Sequence, residues 1–382
     1  MHIALAAHFW GQPTTGSGQY LHRLVDALVA ESGLALTLIG DAAAAQRAAP
    51  PAGVAWQTAT TPFDGRSDNL AKLWFEQRAA PQLAEALAVD VLHVPYFAPP
   101  MRCAVPTVVT IHDLIPMLLP MYRGNALVRG YTALAGRAAP HSAHLIADSE
   151  ASRRDILDHL SVTAEQVSTV YLGVDAQFHP QSDDAVSALR QRLALPDEFV
   201  LYLGGFDVRK NVPLLLEAVA CSTGDWPLLI AGKLPNSDTP FTPDPQRLVD
   251  KWGLSERVRF LGWVEEADKP ALLSAASLFV FPSAYEGFGL PVLEAMACGT
   301  ATVTSDVSSL PELAGDAALT LPPNDATALQ QALDHLMADR DERQRRAALS
   351  IVQASAFTWQ RCAAETLAIY ARAVEADGGN FA

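Results

Sequence analysis

Two glutamates in the stretch "YEGFGLPVLEAMACG" carry the side chains best suited to chemistry. Glu286 and Glu294 are separated by seven residues. The intervening Pro291 is typical of the first residue of a helix, which would place Glu294 in the first helical turn. With a helical rise of about 1.5 Å per residue, we expect the two carboxylates to lie on the order of 10 Å apart. The paired carboxylates of glycosidases lie closer, at roughly 5–9.5 Å. The spacing therefore favours an extended ligand that is held at both ends.

The backbone between these glutamates is suited to binding an anion. It offers N–H groups at the N-terminus of the predicted helix, a position that favours phosphate. These groups belong to Gly287, Phe288, Gly289 and Leu290. Carboxylates accept hydrogen bonds from sugar hydroxyls, so the whole pattern predicts a nucleotide sugar with its diphosphate in the middle. Taken alone, Glu286 could be an ordinary loop residue, and Glu294 could simply stabilise the helix dipole.

A second stretch, "FVLYLGGFDVRKN", supplies the positive charge that a diphosphate needs. An apolar strand is followed by two glycines, including Gly205, and then by Arg209 and Lys210 at the start of a helix. The glycines let the backbone approach a ligand closely, and the cations can hold phosphate oxygens. Lys210 would also neutralise the charge on a departing nucleoside diphosphate, so it is predicted to act in catalysis as well as binding. The alternative is a solvated Arg–Lys pair in a surface loop.

The first half of the chain carries two weaker signals. Gly16 and Gly18 form half of a dinucleotide-binding fingerprint, but Leu21 stands where the third glycine belongs, which argues against NAD. They are interpreted as a flexible loop that approaches a phosphate or an acceptor. In "TVVTIHD", His112 ends a predicted strand and could hydrogen-bond a sugar hydroxyl or act as a base through Asp113. A structural histidine is the alternative.

The order of strands and helices predicts the fold class. Short apolar runs alternate with helical patterns in both halves, which is typical of βαβ units with parallel sheets. We predict an α/β protein with two doubly wound Rossmann-like domains that face an interdomain cleft. The predicted boundaries are residues 1–178 for an acceptor-side domain, 179–197 for a linker, 198–358 for a nucleotide-sugar domain, and 359–382 for a helix that packs back across both.

Composition excludes several function classes. The chain has 27 Lys and Arg against 42 Asp and Glu, a net charge of −15, which argues against nucleic acid as a partner. The four cysteines form no CxxC pair, so no zinc site is expected. No signal peptide or membrane span is recognised, which predicts a cytoplasmic protein. The apolar and arginine-containing segment 114–137 could contact a membrane surface, or it could be a buried loop followed by an ordinary amphipathic helix.

These motifs resemble family 4 of the retaining glycosyltransferases, which have the two-domain GT-B fold. The resemblance covers nearly the whole chain, from "GSGQY" through "TIHDLIP", "IADSEASRRDI" and "LYLGGFDVRKN" to "FTWQRCAAETLAIY". Its most specific part is the glutamate pair in "YEGFGLPVLEAMACG". In this family the first glutamate contacts the transferred sugar and the second binds the nucleotide ribose. The resemblance assigns these roles to Glu286 and Glu294.

The resemblance extends to other positions. It implies that Lys210 and Arg209 bind the diphosphate and that His112 lies beside the transferred sugar. The loop at 16–18 would close near the phosphates, and Val264 would face the base. Many members carry an arginine where this chain has Gly205, so Arg209 would have to take over that charge.

The implied reaction is transfer of a hexose from a nucleotide sugar with retention of anomeric configuration. His112, Lys210 and Glu286 are the predicted catalytic residues, and the sequence requires neither a metal nor another cofactor. The resemblance favours bacterial polysaccharide or lipopolysaccharide enzymes, with GDP-mannose as donor and a lipid-linked glycan at the inner face of the membrane as acceptor. The alternatives are a UDP-sugar donor, a sugar-nucleotide epimerase, and a non-catalytic protein that binds sugar nucleotides.

Overall fold

The computed structural model describes residues 1–378. The chain divides into two compact units. The first comprises Met1–Gly173 together with the segment from Thr358 onward, and the second comprises Val174–Phe357. The last four residues of the predicted C-terminal helix, 379–382, lie outside the described residues. The predicted linker, 179–197, falls within the second unit and contains a helix.

In the described residues, the first unit is built on a seven-stranded sheet with the order β3-β2-β1-β4-β5-β6-β7. Every adjacent pair of strands is parallel. The strands are β1 (His2–Ala6), β2 (Ala35–Gly40), β3 (Val54–Thr58), β4 (Val91–Val94), β5 (Thr107–Ile111), β6 (His144–Ala147) and β7 (Val167–Thr169).

Helices connect these strands. They are α1 (Gly16–Val29), α2 (Ala42–Arg47), α3 (Asp68–Trp74), α4 (Ala80–Ala86), α5 (Ile115–Leu118), α6 (Ala126–Ala138), α7 (Glu150–His159) and, from the far end of the chain, α16 (Trp359–Gly378). A π-helical turn at Phe75–Ala79 joins α3 to α4. Shorter 3₁₀ turns are formed by Pro120–Tyr122, Ala139–His141 and Ala164–Gln166.

The described part of the second unit contains a six-stranded parallel sheet with the order β10-β9-β8-β11-β12-β13. Its strands are β8 (Val200–Leu203), β9 (Leu228–Ala231), β10 (Val258–Gly262), β11 (Leu278–Phe281), β12 (Thr302–Ser305) and β13 (Leu319–Leu321). Its helices are α8 (Asp183–Leu193), α9 (Val212–Cys221), α10 (Pro245–Lys251), α11 (Lys269–Ala275), α12 (Leu290–Ala297), α13 (Leu310–Ala314), α14 (Ala326–Ala338) and α15 (Arg340–Ala354), with 3₁₀ turns at Val208–Lys210 and Glu266–Asp268.

The central strands explain why each unit folds in this way. Strands β4, β5, β8 and β11 are buried along their whole length, and their sequences are nearly continuous apolar runs. Such strands are stable only when helices cover both faces of the sheet. In each unit the strand order runs outward in both directions from a central pair, β1 with β4 and β8 with β11. The predicted fold class, two doubly wound α/β units, is confirmed.

The C-terminal helix α16 belongs to the first unit. It packs on α1 and on strands β4 and β5. The Tyr370 hydroxyl lies 2.6 Å from Nδ1 of His93, inside the core. The predicted packing of this helix across both domains stays a prediction. None of the helices in residues 1–378 combines the length and the apolar character that crossing a membrane requires.

Candidate active site

A buried cluster of charges lies at the carboxyl edge of the second sheet. Glu286 follows β11, and Arg209 and Lys210 follow the neighbouring strand β8. Lys210 Nζ is 2.7 Å from Glu286 Oε1, and Arg209 Nη1 is 2.7 Å from Oε2. The three residues predicted from two distant motifs therefore meet in one place.

Hydrogen bonds between the two loops position these side chains. The Ala284 N–H donates to the Arg209 carbonyl at 2.8 Å, and the Arg209 guanidinium donates to the Tyr285 carbonyl at 2.7 Å. The Ser283 hydroxyl lies 2.6 Å from Glu286 Oε1. The loops after β8 and β11 are thus bound to each other through backbone as well as side chains.

The cations keep Glu286 ionised. Only 8% of Glu286 is exposed. Burial by itself would raise its pKa, but Lys210, Arg209 and the Ser283 hydroxyl hold the pKa below its ordinary value. Lys210 also lies over the ring of Phe281, with its ammonium 4.9 Å from the ring centre. The site therefore contains a carboxylate that accepts hydrogen bonds and two cations that a phosphate can approach.

The segment after Glu286 leads directly into α12. Gly289 caps this helix with a φ of +113°, a conformation that side chains other than glycine rarely adopt. A Cβ at Gly289 would also lie 2.8 Å from Leu310. Helix α12 begins at Leu290, so Glu294 lies in its second turn, and the prediction of the first turn was wrong by one residue. Glu294 is 9% exposed.

Serines that the sequence reasoning missed hold this segment. Ser308 accepts a hydrogen bond from the Glu286 N–H at 2.9 Å. The Ser309 hydroxyl donates toward the carbonyls of Glu286 and Phe288, at 3.0 and 2.5 Å. Both serines follow β12, next to β11 in the sheet. Their place after a strand end was the signal that could have identified them.

The remaining predicted donor-binding residues of this unit lie at the same edge. Gly205 is exposed just after β8, and its carbonyl accepts a hydrogen bond from the Tyr202 hydroxyl at 2.5 Å. A Cβ at Gly205 would meet only Asp207, at 3.5 Å.

Val264 is buried just after β10. Gly287 and Phe288 are buried between Glu286 and α12. Their assignment to donor binding stays a prediction.

His112 lies at the carboxyl edge of the first sheet, directly after β5. Its Nδ1 is 2.7 Å from Asp148, and its Nε2 is 3.2 Å from the Pro95 carbonyl. Burial lowers the pKa of His112, but Asp148 and, to a lesser extent, Asp113 and the Pro95 carbonyl raise it above its ordinary value. The predicted partner, Asp113, was wrong as the hydrogen-bonding carboxylate, because its Oδ1 accepts the Ile115 N–H at 2.9 Å instead.

Gly16 and Gly18 are helical, which corrects the prediction of a flexible loop. Thr15 caps α1 by accepting the Gly18 N–H at 3.2 Å, and both glycines lie in the first turn. A Cβ at Gly18 would be 2.0 Å from the Gln12 carbonyl oxygen, so close backbone packing explains this glycine without a ligand. Gly16 is exposed and has open space around it.

The predicted site residues thus form two groups. Arg209, Lys210 and Glu286 contact one another in the second unit, whereas His112 and the 16–18 segment lie in the first. The predicted interdomain cleft stays a prediction. Among residues 1–378, no group of His, Cys, Asp and Glu side chains is arranged to hold a metal ion.

Comparison with known proteins identifies the family. The sequence model described as "Glycosyltransferase Family 4" matches residues 14–178, and that described as "Glycosyl transferases group 1" matches residues 187–349. The chain is 33% identical over 286 residues to the O-antigen chain mannosyltransferase B of Escherichia coli, covering 73% of this chain and 74% of that protein. It is 29% identical over 265 residues to the serotype-specific mannosyltransferase WbdA of E. coli, covering 67% of this chain but only 32% of WbdA.

Solved structures support the fold. Sucrose-phosphate synthase from Thermosynechococcus elongatus superposes with a TM-score of 0.78 at 22% identity, covering 98% of this chain and 100% of that one. HepE of Anabaena, in complex with UDP-glucose, gives a TM-score of 0.75 at 21% identity, covering 96% and 99%. At such identities the likeness concerns the fold alone. The sequence matches, together with the two doubly wound units, show that the chain belongs to glycosyltransferase family 4 and is a glycosyltransferase of the GT-B type.

Proposed function

We propose that the protein is a retaining mannosyltransferase that moves mannose from GDP-mannose to a glycan acceptor in the synthesis of a cell-surface polysaccharide or lipopolysaccharide. The observation that carries the proposal is the 33% identity to an O-antigen chain mannosyltransferase, 74% of whose length is covered. A further mannosyltransferase, the MMP alpha-(1->4)-mannosyltransferase of Mycolicibacterium hassiacum, is 33% identical over 259 residues, which cover 64% of this chain and 58% of that protein.

The charge cluster supports a role in donor binding and departure of the diphosphate. Lys210 and Arg209 are held by Glu286 and by the loop backbone, so they are in place before a ligand arrives. Cations fixed in advance stabilise charge on a leaving group without the cost of reorganising solvent. In this proposal Lys210 and Arg209 neutralise the negative charge that develops on the departing nucleoside diphosphate. The ionised Glu286 accepts hydrogen bonds from the sugar.

His112, in the first unit, suits a role beside the transferred sugar. The ring of His112 is held in one orientation by Asp148 at Nδ1 and by the Pro95 carbonyl at Nε2. We assign it to the transferred sugar, as the family resemblance implies. No metal or other cofactor is part of the proposed reaction.

A membrane surface is the proposed location of the acceptor. Leu127 at the start of α6 is 78% exposed, and Met121 and Val128 are 48% and 41% exposed. Arg123 and Arg129 lie among them and are exposed too. In the sequence, no acidic residue occurs between positions 113 and 148, although the chain carries 42 Asp and Glu in all. Exposed apolar side chains with neighbouring arginines suit an anionic lipid surface.

Calorimetric titration with GDP, UDP and ADP tests the donor assignment. GDP should bind most tightly to the wild type, and Lys210→Ala and Glu294→Ala should each weaken it at least about tenfold, because each removes a charge-assisted contact. The matched control Lys251→Ala removes an exposed lysine at the end of α10 and should leave binding unchanged. Selective binding of UDP would favour the alternative of a UDP-sugar donor, which the complex of HepE with UDP-glucose suggests.

Product analysis tests the reaction itself. With GDP-mannose and a mannosylated acceptor, the expected product carries the anomeric configuration of the donor, as read by NMR of the new linkage. Inversion would overturn the retaining assignment. Release of GDP with no acceptor present, accompanied by an epimerised sugar, would favour the epimerase, and nucleotide binding without any turnover would favour the non-catalytic alternative.

A further inference from the structure

A cavity of about 530 Å³ lies in the first unit, and none of the predicted site residues lines it. One wall is formed by the π-helical turn and α4, with Gln77, Arg78, Gln82 and Glu85. The other walls are the segment Met101–Ala104 and His141.

The topology places this cavity at the amino edge of the sheet. The segment 101–104 lies just before β5, and His141 lies just before β6. In a parallel sheet these strand starts share one edge, opposite the edge where the strands end. His112 follows the end of β5, so the cavity and His112 lie at opposite edges. Within the first unit, the cavity is therefore distinct from the site of His112.

The side chain of Gln77 connects two walls of the cavity through hydrogen bonds. The Gln77 amide donates to the Pro99 carbonyl at 3.0 Å, and its oxygen accepts the Met101 N–H at 3.0 Å. These bonds fix the loop that carries Arg102 against the turn that carries Arg78. The turn is π-helical, a feature that is rare and frequently found at functional sites.

The charges of the cavity are mainly positive. Arg78 and Arg102 are both exposed, and neither forms an ion pair within residues 1–378. Glu85 is the carboxylate among the lining residues, so the two arginines outnumber it. This local excess of positive charge contrasts with the net charge of −15 of the whole chain.

We propose that this cavity binds a small soluble molecule that carries phosphate groups, held by Arg78 and Arg102. Guanidinium groups bind phosphate oxygens through paired N–H donors, and the glutamine amides of the wall can supply further hydrogen bonds. The volume lies within the roughly 300–1,000 Å³ that is typical of small-molecule sites. It is large enough for a phosphorylated sugar or a nucleotide. The proposal does not depend on the donor assigned above.

Titration with inorganic pyrophosphate tests the proposal, with the full-length Lys210→Ala protein as background so that binding at the candidate active site is weakened. Pyrophosphate should bind at one site. Adding Arg78→Ala or Arg102→Ala should weaken this binding at least about tenfold, because each removes a charge-assisted hydrogen bond. The matched control is Arg66→Ala, an exposed arginine beyond the end of β3, which should change the affinity less than about twofold.

Three results would overturn the proposal. One is the absence of pyrophosphate binding in the Lys210→Ala background. Another is binding that survives both Arg78→Ala and Arg102→Ala. The last is equal weakening by Arg66→Ala, since that would indicate diffuse attraction to the surface. Thermal unfolding of each variant checks that the exposed substitutions leave the fold intact.

Discussion

Glu286 pairs with both cations of the candidate active site. We therefore expect its protonation to change the free energy of unfolding of the protein. Its pKa in the folded protein is below the ordinary value of 4.5 because Lys210 and Arg209 contact both carboxylate oxygens. The unfolded chain then binds the proton more readily, so the ion pairs stabilise the fold fully above about pH 4.5. This contribution is lost as the pH falls through the lowered pKa.

The substitution Glu286→Gln should therefore cost most at neutral pH. We expect a loss of about 3 kcal/mol at about pH 7, since two partly buried cations lose the carboxylate that they share and only Arg209 keeps another, Asp207. The difference from wild type should shrink as the pH falls through the lowered pKa of Glu286, where the wild-type carboxyl becomes protonated. Urea unfolding of both proteins at a series of pH values measures this difference in the free energy of unfolding. Glu256→Gln, an exposed glutamate of the same unit, is the matched control, and a difference that stays constant with pH would contradict the argument.

At the residue level, the sequence predicted which residues form the candidate site better than it predicted which side chains they pair with. Arg209, Lys210 and Glu286 were predicted to form one site, and they do contact one another. Their mutual ion pairing was not predicted, because pattern reasoning does not specify side-chain rotamers. Asp148 was missed as the partner of His112 because it is 36 residues away in the chain. It directly follows β6, beside β5, and the ends of neighbouring parallel strands lie close together.

At the level of elements, helix α6 offers a direct test of membrane contact. We expect Leu127→Glu to weaken binding to vesicles of mixed neutral and anionic lipid at least about tenfold. The change removes a leucine from the apolar surface and adds repulsion from the lipid headgroups. Co-sedimentation with the vesicles measures the effect.

The matched control for this test is Val352→Glu. Val352 is also an exposed apolar residue on a helix, with 70% of its surface accessible, but it lies in α15 of the second unit. It should leave vesicle binding nearly unchanged. If the wild-type protein does not sediment with anionic vesicles, or if both variants behave alike, the proposed contact through 114–137 is wrong.

Elements were predicted well where their apolar runs were continuous. In the described residues, every strand except β3 lies in one of the short apolar runs whose alternation with helical patterns predicted the fold class. The exception, β3, is an edge strand with the sequence "VAWQT", of which only Val54 is buried. Helix starts were less accurate. The glycines at 16–18 were expected in a loop, but the Thr15 cap starts α1 before them.

At the level of the whole molecule, the alternation of strands and helices was sufficient to predict two doubly wound units. The boundaries were harder to predict. Residues 179–197 carry polar sequence typical of a linker and yet belong to the second unit, as do residues 174–178, which were predicted to belong to the first domain. The return of the C-terminal helix to the first unit depends on contacts between residues far apart in sequence, such as His93 with Tyr370. A sequence pattern does not record such contacts.

Ending the chain after Phe357 should therefore unfold the first unit while leaving the second folded. The truncation removes the buried side chains of Trp359, Ile369 and Tyr370, and each buried side chain of this size contributes about 1.5–3 kcal/mol. It also removes the Tyr370 hydroxyl that pairs with Nδ1 of the buried His93, although Nε2 of His93 keeps its partner Thr110. The combined loss, above about 5 kcal/mol, is comparable to the whole stability of a domain.

Hydrogen exchange measured by mass spectrometry separates the two units in this experiment. Strands β4 and β5, which α16 covers, should lose protection in the truncated protein, whereas β8 and β11 should keep it. A chain that ends after Gly378 retains α16 and should exchange like the wild type. If β4 and β5 stay protected without α16, the first unit folds on residues 1–173 alone, and the helix is an addition to its core instead of a part of it.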